Sequence, residues 1–140
     1  EEEKRSFTLV LKGVINIIKS KYIEGTMDRD LDILARVNLW NDGTNFNHGT
    51  GHGVGYALSV HEAPPTISNK VVKPTELKPG FLFSVEPGYY VEDGYGIRTE
   101  NIVYVQPWKE TQDGNYFELY NLTRVPIDRN AINLNLLTEE

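Results

Sequence analysis

The chain has 140 residues, 39% of them hydrophobic and 24% charged, with a formal net charge of −6 and no cysteine. A compact chain of this length buries roughly 68–70% of its unfolded surface, so one folded domain or a piece of one is expected. An acidic balance without a Lys/Arg cluster predicts no nucleic-acid partner; the missing thiols exclude disulfides, a Cys nucleophile and a Cys-based zinc site; and no apolar run approaches the ~20 residues that span a bilayer.

Residues 3–20 place Phe7, Val10, Leu11, Val14, Ile17 and Ile18 at i, i+3, i+4, i+7 spacing, with Glu1, Glu2 and Glu3 at the positive end of the dipole. This predicts an amphipathic helix. After Gly25, Thr26 is expected to cap a second helix with Met27, Leu31, Leu34 and Trp40 on its apolar stripe, stopped by Asn41-Asp42-Gly43. The opening EEEKR is unlike a signal peptide, and a cytoplasmic setting is expected by elimination. The sequon Asn121-Leu122-Thr123 would matter only in a secreted protein.

His48 to His61, HGTGHGVGYALSVH, holds all three histidines, with glycines at 49, 51, 53 and 55. Each glycine costs a helix roughly 1 kcal/mol relative to Ala, so an extended strand is predicted. With a period of two, His48, Thr50, His52, Val54 and Tyr56 share one face. Extended at ~3.3 Å per residue, His48 and His52 lie about 13 Å apart and cannot share one ion. His61 has the opposite parity and needs a bulge or bend between Tyr56 and Val60, whose place the residues leave open.

Beyond Glu62-Ala63-Pro64-Pro65 and the turn Lys78-Pro79-Gly80, residues 81–85 form a short apolar run that predicts a buried strand, stopped by Glu86-Pro87-Gly88. A glycine- and tyrosine-rich loop leads to an alternating segment over 97–105, with Arg98 and Glu100 on one face. A turn at 112–115, a strand over 116–125 and a helix from Arg129 onward complete the prediction. The fold class is α+β: two helices, then a mostly antiparallel sheet.

Three residues carry the candidate chemistry. Glu86 ends a buried strand, where a carboxylate is costly unless paired or metal-bound, or else it sits in a solvated turn. Glu100 lies among apolar neighbours, or else forms a surface ion pair with Arg98. His52 has open space among glycines, or else belongs to a flexible loop. Placed on strands of one small sheet, one imidazole and two carboxylates make a hard site suited to Mn(II), Co(II) or Zn(II), with hydrolysis by metal-activated water as its natural chemistry.

The motifs HGTGHGVG, VHE, FSVEPGYY and EDGYGIRTEN, in this order, closely resemble the catalytic domain of Xaa-Pro aminopeptidases (aminopeptidase P). These are pita-bread metallopeptidases related to methionine aminopeptidase and prolidase. The likeness runs from the first helix through Ile127 and is nearest the eukaryotic-type cytosolic branch. It departs at Thr99, where an aliphatic residue is common, and at Ala63-Pro64, where Gly-Pro is common.

What the resemblance implies is specific. The family carries two bridged Mn(II) ions, with zinc or cobalt as alternatives, and cleaves peptides that have proline at the second position. By motif, His52, Glu86 and Glu100 are metal ligands, Glu100 bridges, and Glu86 is also the general base. His48 and His61 hold substrate and assist the tetrahedral intermediate and leaving group; Tyr90 and Arg98 orient ligands and substrate.

The family's two metal-binding aspartates precede the first helix, so residues 1–140 are expected to be the carboxy-terminal part of a catalytic domain. Such a chain binds at most one ion weakly on its own and needs the amino-terminal part for activity. A homo-oligomer is expected, from an unpaired strand edge. The alternatives are a non-catalytic peptide- or protein-binding remnant of the same fold and a self-contained single-metal hydrolase.

Overall fold

The structure, a computed structural model, describes residues 1–57 and 59–137. Two α-helices, α1 (Glu2–Lys19) and α2 (Asp32–Asn41), accompany eight strands: β1 (Lys21–Ile23), β2 (Gly51–His52), β3 (Thr66–Ile67), β4 (Leu82–Val85), β5 (Gly88–Tyr90), β6 (Gly96–Arg98), β7 (Asn101–Thr111) and β8 (Gly114–Asn121). Strands β1, β8, β7 and β4 form one antiparallel sheet in that order, while β2–β3 and β5–β6 are separate antiparallel pairs.

The helix stripe and the sheet meet in one core. Leu9, Val10, Val14 and Ile17 of α1 join Leu31, Ala35 and Leu39 around α2, and cover Phe83, Val85, Val103, Val105, Phe117 and Leu119. Alternate residues along β4, β7 and β8 supply the sheet's share, as a two-residue period requires. The α+β expectation is met, with helices on one side of the sheet.

Local departures have identifiable causes. The second helix starts later than expected: Thr26 donates its hydroxyl to the Ile23 carbonyl instead of capping, Met27 bridges to Glu76, and a 3-10 turn over Asp28–Leu31 leads into α2. The buried face of α2 is Asp32, Ala35, Arg36 and Leu39, whereas Trp40 is 46% exposed. The histidine strand shrinks to Gly51–His52 because it crosses β4 at backbone contact: a Cβ on Gly51 would stand 1.8 Å from the Ser84 carbonyl oxygen.

Strands β1 and β3 were not foreseen; each is short, and each pairs with a distant segment. The Gly/Tyr loop is a β5–β6 hairpin, and the segment over 97–105 breaks at Thr99-Glu100 between β6 and β7. The last strand stops at Asn121. From Arg129 the chain makes two 3-10 turns instead of a helix, since Asp128 and Asn133 accept the backbone N–H groups of Asn130 and Asn135 and hold the local turn.

Candidate metal centre

The register of β4 on β7 builds the site. Val85 pairs with Asn101, so one step beyond the ladder Glu86 and Glu100 come opposite each other. Like charges in that relation repel, and a cation between them reverses the sign. Gly53 bridges to Phe83 on the other edge of β4, which brings His52 alongside. Donor atoms of His52, Glu86 and Glu100 all lie within 4.8 Å of one another. Two donors on opposite sides of one ion stand about 4.2 Å apart at ~2.1 Å per bond, so the three fit around an ion after a small side-chain adjustment.

Hydrogen bonds fix what each donor offers. His52 Nδ1 lies 2.8 Å from the Gly53 carbonyl oxygen, which can only accept, so Nδ1 carries a hydrogen and, in the neutral ring, Nε2 offers a lone pair. That Nε2 faces Glu86 Oε1 at 2.9 Å. A lone pair against a carboxylate is favourable only with a metal cation at hand or a second proton on the ring. Ser84 ties the two residues together: its hydroxyl accepts the His52 N–H at 3.0 Å and donates to Glu86 Oε1 at 3.0 Å. Glu86 is 8% exposed, its own N–H donates to the Thr50 carbonyl at 2.7 Å, and Arg98 Nη1 stands 3.4 Å from Oε2. The solvated-turn alternative for Glu86 is thereby excluded.

A second chain of bonds runs beside the first. Arg98 Nε donates to the Tyr90 hydroxyl at 2.9 Å, and that hydroxyl lies 2.9 Å from His48 Nε2. The Gly49 carbonyl can only accept, so His48 Nδ1–H donates to it at 2.7 Å, while the Tyr90 oxygen takes the Arg98 hydrogen and shares a second hydrogen bond with His48 Nε2. Both ring nitrogens of His48 are thereby held in place.

His61 reaches the site through a reversal whose place the sequence left open. Gly55 N–H donates to Ser59 O, and Glu62 N–H to Gly53 O. A Cβ on Gly53 would meet the Glu62 carbonyl oxygen at 2.0 Å, so only glycine lets the two arms close. The ring of His61 ends 4.0 Å, centroid to centroid, from that of His52.

All seven residues singled out from the sequence thus lie in one cluster, with two changes. Arg98 and Glu100 do not share a strand face, and the carboxylate that Arg98 meets is Glu86. The three donors do not sit on strands of one sheet: His52 belongs to β2, while Glu86 and Glu100 flank β4 and β7.

Sequence reasoning missed Ser84 and the buried trio Asp32, Arg36 and Thr50. Ser84 was legible as the one polar residue in the run FLFSV, two places before Glu86. Asp32 and Arg36 were hidden by an α2 stripe drawn through Met27, Leu31, Leu34 and Trp40, whereas the buried face runs through Asp32, Ala35, Arg36 and Leu39.

The model of metallopeptidase family M24 matches residues 1–107. The chain belongs to metallopeptidase family M24. Among relatives, Probable Xaa-Pro aminopeptidase P of Tuber melanosporum is 44% identical over 140 residues, covering 97% of this chain and 23% of that protein. The crystal structure of X-prolyl aminopeptidase from Caenorhabditis elegans, named a cytosolic enzyme with a di-nuclear active site, superposes with a TM-score of 0.89 at 38% identity, over 99% of this chain and 22% of that one.

Prolidase from Pyrococcus furiosus superposes with a TM-score of 0.74 at 29% identity, over 91% of this chain and 34% of that one. This M24 chain therefore has part of the pita-bread fold and spans less than a quarter of the curated relative's length. Among the described residues no helix is long and apolar enough to cross a membrane.

Proposed function

We propose that residues 1–140 are the carboxy-terminal part of an Xaa-Pro aminopeptidase catalytic domain, which removes an N-terminal residue that precedes proline. The observation that supports it most is the juxtaposition of Glu86 and Glu100 one step beyond the β4–β7 ladder, with the lone pair of His52 against them. Two facing carboxylates and an oriented imidazole form a ligand set for a hard or borderline divalent cation, for which Mn(II) is the first candidate and Zn(II) or Co(II) the alternatives. When bound, such a cation acidifies water and polarises the scissile carbonyl.

The side chains divide the remaining work. Glu86, held by Ser84 and Arg98, accepts the proton of the attacking water and is the general base. His48 and His61 contact substrate and assist the tetrahedral intermediate and the leaving amine, with Tyr90 and Arg98 orienting ligands and substrate. The two-ion centre of the family needs ligands beyond His52, Glu86 and Glu100, so activity belongs to a longer protein. A cytoplasmic setting and a homo-oligomer go with this reading.

The test is hydrolysis of a short Xaa-Pro peptide by the full-length protein with Mn(II). Cleavage before proline that is lost in Glu86→Gln is the expected result. A folded, metal-loaded protein that binds the peptide without cleaving it would make the non-catalytic reading the correct one.

A further inference from the structure

We infer that the buried Asp32–Arg36 pair of α2 is a positioning device for His48, an inference that rests on the proposed role of His48 in the peptidase site. Arg36 is 2% exposed, and every N–H of its guanidinium is used. Nε donates to Asp32 Oδ2 at 2.6 Å, and Nη2 to Asp32 Oδ1 at 3.2 Å and the His48 carbonyl at 3.0 Å. Nη1 donates to the Asn45 side chain at 3.0 Å and the Phe46 carbonyl at 2.7 Å. Asp32 Oδ1 also accepts the Thr50 hydroxyl at 2.6 Å.

The pair therefore grips residues 46, 48 and 50 in turn, from a rigid helix, along the segment that carries the histidine. It also sets the ring. The guanidinium lies 3.9 Å from the centroid of Phe46, and Phe46 packs against the His48 imidazole at 4.9 Å between centroids. The Thr50 carbonyl passes the constraint on to the Glu86 N–H.

Stability alone does not account for this arrangement. A buried ion pair is worth little compared with apolar residues of the same volume, and its best-attested use is to fix one geometry among several. Here the planar fork of arginine reaches a carboxylate and two carbonyls at once, which the point charge of lysine cannot do. His48 is only half-buried, and without this clamp its backbone would be set by a short loop.

The test uses the full-length protein, Arg36→Lys and Thr50→Val, with ¹⁵N-labelled histidine and diamagnetic Zn(II). In the wild type His48 is expected in the Nδ1–H form. Arg36→Lys should fold, keep its metal content, mix the His48 tautomers while leaving the His52 signals in place, and lose on the order of 10²-fold in kcat/KM, as a displacement of about 1 Å does. Thr50→Val removes a single hydroxyl and should move the same signals less; it decides the matter if Arg36→Lys does not fold.

Wild-type His48 signals in the folded variants would overturn the inference, whatever happens to the rate. A wild type that does not cleave Xaa-Pro peptides would end the functional proposal instead, and the histidine signals would still decide whether Arg36 positions His48.

Discussion

Ser84 shows how much one hydroxyl can carry. It is the shared partner of the His52 backbone and the Glu86 carboxylate, so Ser84→Ala leaves both donors present but frees each to turn. Outer partners of metal ligands are typically worth 10–100-fold in affinity. We expect Ser84→Ala to weaken Zn(II) or Mn(II) binding about tenfold in calorimetry while Glu100→Ala abolishes it; equal, unchanged affinities would remove both residues from the centre. The candidate donors were legible in the sequence because VEPG and GIRTEN mark the two carboxylates that come together. Their geometry was not, since the opposition of Glu86 and Glu100 depends on the register of two strands that no local pattern encodes.

Among the elements, β1 carries an internal fault that is open to test. Tyr22 is 6% exposed and packs edge-on against Phe117, with no partner for its hydroxyl among the described residues. Burial raises its pKa above the ordinary 10.0. The neutral phenol is thus favoured in the folded state. Its contribution to stability is complete below the unfolded pKa of about 10 and is lost as the pH rises through the folded value.

Tyr22→Phe removes an unpaired buried group, whose cost is about 1–3 kcal/mol. The variant should be more stable by about 1 kcal/mol in urea unfolding and should lose less stability between pH 9 and 11. A destabilised variant with unchanged alkaline sensitivity would refute this. Elements with strong periodicity, α1 and β4, were readable from their residues; β1 and β3 were not, because strands this short take their conformation from a distant partner. The same holds for the start of α2, where the Asp30 carboxylate accepts the Met27 N–H and settles a boundary that Thr26 had suggested.

For the molecule as a whole, the proposed centre predicts that stability depends on the ion. Three donors contributed by separate elements repel or drift apart when nothing joins them, so ligand binding is coupled to the native state. At a free metal concentration of 100 times Kd, the gain is about 2.7 kcal/mol. Chelation should lower Tm in a metal-dependent way, and readdition should restore it; a Tm indifferent to both would argue against a centre formed by His52, Glu86 and Glu100.

The β7–β8 hairpin carries a consequence for time as well as shape. Its two strands are joined through Gln112-Asp113 and pair from Val103–Asn121 to Thr111–Gly114, so this large part of the sheet closes within neighbouring sequence. The donor set must instead gather residues as far apart as His52 and Glu100. Short loops close sooner than long ones, and local pairings form within about 1–10 μs. In rapid-mixing refolding, strand signal should return before metal-binding capacity, and the interval between them is when the newly made protein has a sheet but no chemistry.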